Sequence, residues 1–321
     1  MLKYLIKKTM NEQLNRAVSI LTNTAGNAVL VRLSWSFMEG RRSNKSLVSG
    51  IATQHHANES DISVTNRLLD KKFLKEIKSL RTKTLDFHKK NTLPYDDSGL
   101  RLLPARNLTK YRKFLLEAEE KLGFLKGDLD SSYDAMKLDA QVRLNGLYNE
   151  ALFPTREQVQ DSYSMTARYE QVSIPSQLYL STASTDLNDA MRNEMARDIE
   201  ANLLESHKAN FTRLAEALQH LLLRIQAPVK KVNVLGGSIA VQGEQLHFRN
   251  ASVDAIKDLI NAGESMNFSN DPKFSAILQR LENRLLPDLQ ANTLRESVEH
   301  REKVASVLET EVSDILANLP C

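Results

Sequence analysis

Between residues 185 and 225 the chain places Leu187, Met191, Met195, Ile199, Leu203, His207, Phe211, Leu214, Leu218, Leu221 and Ile225 three or four residues apart. Neither proline nor glycine interrupts the run, and Pro228 follows it. That spacing is the period of one helix face. At 1.5 Å per residue the helix spans about 60 Å, longer than an ordinary globular helix. It must bury its stripe against other long helices, as in a bundle or coiled coil, or against a second copy of the chain. A homo-oligomer is therefore one expectation. The 11 glycines and 8 prolines in 321 residues agree with long regular elements.

A second pattern has the other period. Over 28–38, Val29, Val31, Leu33, Trp35 and Phe37 alternate with Arg32, Ser34 and Ser36, which predicts a half-buried strand. It ends at Gly40-Arg41-Arg42. Tyr169 to Ile174 also reads as a strand (168–174), and the two are expected to pair in a small sheet. Residues 229–248 predict a β-hairpin turning at Gly236-Gly237, with a second turn at Gly243. Further helices are expected over 10–24, 61–90, 108–124, 131–145, 252–262, 272–286 and 289–319, with shorter ones from residue 44 and after Pro154. Gly123 and Gly127 are expected to end the 108–124 helix, and Gly263 the one from Ser252. The predicted class is mainly α with a small β component. A basic α+β part (1–183) is followed by an acidic helical part (184–321); the alternative is one continuous domain.

Charge follows that division. Residues 1–113 hold 22 Lys and Arg against 9 Asp and Glu, a balance of +13; residues 114–321 hold 21 against 31, a balance of −10. One reading is a basic surface for nucleic acid or an acidic partner. The other is a basic part packed on an acidic part of the same molecule. The cations concentrate over 61–90, where Lys71, Lys72, Lys75, Lys78, Arg81 and Lys83 surround a stripe of Leu69, Phe73, Ile77, Leu80, Thr84 and Phe87 or His88. Phosphate contacts need these residue types, and a solvated helix face has the same composition. Aromatic residues are sparse at 6%, which weighs against a base-stacking platform.

The densest punctuation is NTLPYDDSGLRLLPAR at 91–106, read as a specified corner between two helices. Asp96 and Asp97 in such a turn cap backbone N–H groups more often than they catalyse. A lesser reading makes the turn an active site with Tyr95 and Arg101 beside the carboxylates, which would require a concave pocket there. Tyr95 and Arg101 equally suit a partner contact.

Other chemistry finds no support. GxxxxGK[ST], GxGxxG and GxSxG are absent from the sequence. Glu216/His220 and Glu296/His300 are i,i+4 pairs on the faces opposite their apolar stripes, unlike the inward-facing ligands of a bundle metal site. His55-His56 lacks ligand spacing. No catalytic residue, metal or cofactor is expected. Cys321 is the lone cysteine, so no internal disulfide is possible. The N-terminal MLKYLIKKTMNEQL lacks a signal-peptide core, and no stretch reaches transmembrane length. The expectation is a cytoplasmic protein without a membrane partner.

Four blocks resemble a family of uncharacterised proteins from phages, plasmids and integrative elements. They are the strand ending in Gly40-Arg41-Arg42, NTLPYDDSGLRLLPA, GLYNEALFPTREQV around Pro154, and QLHFRNASVDAIKDLI. Their order and spacing cover most of the chain, and the hairpin Val229–Gly243 has no counterpart among them. Genes of that family lie near those for AAA+ ATPases of the MoxR and CobS types, for CobT-like von Willebrand A-domain proteins and for recombination functions. The resemblance implies a non-enzymatic accessory or scaffold protein working in a bacterial host cell with an AAA+ ATPase or its von Willebrand A-domain partner. It supplies no catalytic residues. The alternative is a nucleic-acid-binding factor in mobile-element DNA metabolism. The residues expected to carry either interaction are Arg41, Arg42, Lys71, Lys72, Lys75, Lys78, Arg81, Tyr95 and Arg101.

Overall fold

The helix expected over 185–225 is present as a single element, Thr185–Gln226, in the computed structural model of the chain. The structure describes residues 27–172, 181, 184–226, 230–234, 237–241 and 250–320, with backbone alone for the two segments between 230 and 241. The expectations for 10–24, Gly243, 244–248 and Cys321 lie outside these residues. The architecture is mainly helical, with one four-stranded sheet and short strand pairs.

In chain order the strands are β1 (Ala28–Ser36), β2 (Arg41–Ser43), β3 (Thr65–Arg67), β4 (Leu93–Pro94), β5 (Arg101–Pro104), β6 (Ser164–Gln171), β7 (Lys230–Val234) and β8 (Gly237–Val241). The helices are α1 (Lys45–His55), α2 (Lys71–Asn91), α3 (Leu108–Leu144), α4 (Arg156–Asp161), α5 (Thr185–Gln226), α6 (Asn250–Met266), α7 (Pro272–Arg284), α8 (Ala291–Glu296) and α9 (Val298–Ala317). The sheet order is β4-β5-β1-β6, so the expected neighbours β1 and β6 do lie side by side.

The differences from expectation have local causes. Strand β6 begins at Ser164, earlier than predicted. Helix α2 begins at Lys71 because residues 65–67 pair with β2. Its first turn is held by the Asp70 carboxylate, which accepts from the Lys72 N–H. Helix α3 runs unbroken through Gly123 and Gly127. A glycine costs a helix only about 1 kcal/mol, and the buried Leu122, Leu125 and Leu129 stripe outweighs that. Gly263 likewise lies inside α6, where an added Cβ would sit 2.4 Å from Leu278 Cδ2. It permits close approach of α7 and is no helix end. Gly237 pairs with Val234 and so belongs to β8. Residues 91–106 form more than a corner, because their β4 and β5 extend the sheet.

Contacts divide the chain into two units. The first holds described residues up to Val31, Asn91–Asn107 and those from Tyr169 onward; the second is Arg32–Lys90 with Leu108–Arg168. In the first unit α5 serves two cores. Ile199 and Leu203 pack with Leu30, Leu93 and Leu102 of the sheet and with Tyr95, which follows β4. Phe211, Leu214, Leu218 and Leu221 pack with α6, α7 and α9 through Ile260, Phe274, Leu281 and Leu308. Leu187, first in the predicted stripe, is 51% exposed. In the second unit the core joins Phe73, Ile77 and Leu80 of α2 to Leu122, Leu125 and Tyr133 of α3. Tyr163 is fully buried there, edge-on to Phe37 and Phe73, and its hydroxyl donates to the Met38 carbonyl at 2.9 Å.

Candidate functional site

Helix α2 carries eight Lys and Arg and two acidic residues. Its buried face is Phe73, Leu74, Ile77, Leu80, Thr84 and His88, so the cations take the rest of its surface. His88 Nδ1 lies 2.6 Å from the Tyr111 hydroxyl of α3 in the buried seam between the helices. Lys71 and Lys72 stand in the first turn, where the helix dipole disfavours cations. Helix stability therefore does not account for their presence.

A groove of about 860 Å³ runs between α2 and α3. Leu80, Phe87, Phe114 and Ala118 supply its apolar part. Lys72, Lys75, Lys83, Lys90 and Lys121 line it together with Ser79, Glu76, Asp86 and Glu117. Phe87 and Phe114 are half-buried and stacked on each other, with centroids 3.7 Å apart and planes 11° from parallel. Lys71, Lys72, Lys75, Lys83 and Lys89 form no ion pair with any described residue. Lys78 and Arg81 point elsewhere, each 5.7 Å from the centre of the Phe37 ring.

The predicted interaction residues thus separate. Lys72 and Lys75 line the groove; Lys71 is exposed at the helix start; Lys78 and Arg81 stack on Phe37. Arg41 and Arg42 are exposed on β2, with Arg41 opposite Arg67 of β3. Tyr95 and Arg101 belong to the other unit. Lys83 and Lys90 continue the α2 pattern and were legible as such. Phe114, Glu117 and Lys121 come from a different helix; the apolar spacing of 108–124 includes Phe114, but no spacing places these residues beside the α2 lysines.

The 91–106 turn does border a concave site. A cleft of about 570 Å³ is lined by Pro94, Tyr95, Asp96 and Asp97 and by Asn202, Glu205, Lys208, Thr212, Arg213 and Glu216 of α5. Asp96 acts as the turn's cap: its Oδ1 accepts from the N–H groups of Ser98 and Leu100, both at 3.0 Å. Tyr95 is buried, which raises its phenol; a hydrogen bond with Asn202 offsets part of that, and the Asp96 charge adds to it. Arg101 is directed to Thr92, donating to its Oγ1 at 2.7 Å and its carbonyl at 3.1 Å. Burial, and secondarily the Arg101 charge, lower the Arg213 guanidinium.

A constellation that no motif signalled lies elsewhere in the same unit. His207 Nε2 is 2.7 Å from Asp271 Oδ2, and Ser269 Oγ is 3.1 Å from His207 Nδ1. The residue types are those of a nucleophilic triad. Asp271 is nonetheless committed to capping α7, accepting from the Lys273 N–H at 2.7 Å. Asn267 closes the loop by accepting from the Asp271 N–H at 2.9 Å. The His207 ring is edge-on to Phe211 and Phe268. Ser269 does not line the cleft at Tyr95. The cluster ties the α6–α7 connection to α5.

No described helix is long and apolar enough to cross a membrane. Among the described residues no group of three or more His, Cys, Asp or Glu could hold a metal ion. Comparison of the chain with family models, curated proteins and solved structures finds no match.

Proposed function

We propose that this chain is a non-enzymatic accessory protein that binds an anionic macromolecular partner through the α2 side of its second unit. The observation that carries the reading is the set of exposed α2 lysines without ion pairs among the described residues. Like charges crowded on one helix repel one another and weaken it; an acidic partner would offset that cost. The family resemblance supplies the partner's identity: an AAA+ ATPase of the MoxR or CobS type, or a von Willebrand A-domain protein, in the bacterial cytoplasm.

Co-expression with those gene neighbours, followed by size-exclusion chromatography with and without ATP, tests the reading. A complex that weakens as salt is raised is expected. No complex in either nucleotide state overturns it.

Nucleic acid is the second reading, favoured by Arg41 facing Arg67 across the β2–β3 pair in the same unit as α2. Titration with duplex and single-stranded DNA at several salt concentrations separates the two. A steep fall of affinity with salt supports nucleic acid, and no binding at low salt removes it.

A further inference from the structure

We infer that the groove between α2 and α3 seats an amphipathic helix of a partner protein, with a net-acidic polar face. This rests on the reading of the chain as a binding protein and names the element that the site recognises. The groove's walls are helices whose backbone N–H and C=O groups are already paired within each helix. An extended peptide would find no main-chain partners there, whereas a helix satisfies its own backbone and brings only side chains. The apolar strip of Leu80, Phe87 and Phe114 suits the hydrophobic stripe of such a helix. From Lys72 to Lys90 the α2 wall extends about 27 Å, the length of roughly eighteen helical residues. On α3, Phe124 lies three residues beyond Lys121 and is 67% exposed, carrying the apolar surface one turn further.

The lining holds five lysines and three acidic residues, so its complement is mainly acidic with a few cations. A polyphosphate fits less well. Glu76, Asp86 and Glu117 would repel it, and Phe87 and Phe114 each spend one ring face on the other, so no base can insert between them.

The test uses the full chain and three fluorescent probes in anisotropy titrations. One is a synthetic eighteen-residue helix with a leucine stripe and a glutamate-rich polar face. The second has the same composition with the leucines scattered, and the third is a twenty-nucleotide single strand. Only the first is expected to bind tightly. Two variants at exposed positions leave the core untouched: Lys75→Glu/Lys83→Glu reverses the rim, and Ser79→Trp fills the groove. Each should weaken that probe at least about tenfold, with an unchanged circular dichroism spectrum. Equal binding of the scattered peptide, unaltered affinity in both variants, or groove-dependent binding of the oligonucleotide alone would each overturn the assignment. A complex with the ATPase-system partner that resists Ser79→Trp but is lost with Lys75→Glu/Lys83→Glu removes the groove and keeps the proposed function. Stripe-specific peptide binding without any such complex does the reverse.

Discussion

Individual side chains in this molecule show how burial converts polar atoms into structural ties. Burial alone would raise the Asp271 carboxyl. Hydrogen bonds from His207 and from the Lys273 N–H, together with the imidazole charge, outweigh it and hold the group below the ordinary aspartate value. A carboxylate depressed in the folded state stabilises it above the unfolded value of about 3.9, and that contribution is lost as pH falls through the folded value. Asp271→Asn should flatten the decline of urea midpoints between about pH 5 and pH 2 relative to the parent chain. A parallel decline in both proteins would assign the acid sensitivity to other groups. Tyr163 offers a second case at the same scale. Burial raises its phenol far above the usual range, so it acts as a neutral donor to Met38. Tyr163→Phe should cost about 1 kcal/mol through the lost hydrogen bond. Tyr163→Ala should cost about 3–5 kcal/mol, because the edge-on contacts with Phe37 and Phe73 vanish too. Similar urea midpoints for the two variants would contradict that division.

At the level of elements, glycine carries three different meanings, and only the structure separates them. Gly123 and Gly127 lie on the open side of α3, with nothing within 4 Å of a built Cβ. Alanine there should stabilise the protein by about 0.5–1 kcal/mol at each site, read as a higher thermal midpoint. Gly263 has the opposite sign. Its Cβ would press on Leu278, whose side chain is 1% exposed and cannot yield freely. Gly263→Ala should therefore destabilise by about 1–3 kcal/mol. Gly40 adopts φ of +65°, a turn conformation that favours glycine. The contrast explains what was legible in the sequence. The α5 stripe and the β1 alternation are local periodicities with one physical cause each, and both elements are present. The β4–β5 pair depends on two- and four-residue strands containing prolines, and β5 finds its second partner, β1, some seventy residues away in the chain. The groove fares likewise: its α2 lysines are visible as a run, but Phe114 and Lys121 join them only through helix packing. The His207–Ser269–Asp271 cluster also depends on bringing α5 beside a distant loop.

On the scale of the whole molecule, the chain passes between the two units four times, and each unit keeps apolar clusters of its own. The single tryptophan, Trp35, packs against the cluster of the second unit. Its fluorescence therefore reports that unit, whereas far-ultraviolet ellipticity follows helices in both. Leu281 is fully buried in the largest cluster of the first unit. Leu281→Ala removes its packing there and should cost about 2–5 kcal/mol. If each core melts on its own free energy, the ellipticity midpoint falls to lower denaturant while the Trp35 transition moves much less. The converse variant, Leu125→Ala in the second unit's core, should move the Trp35 transition first. Coincident shifts of both signals in both variants would mean one cooperative transition, since probes agree only when a single equilibrium is being observed. The four covalent crossings favour coupling and the separate clusters oppose it. The three clusters have no residue in common, so the two midpoints should separate.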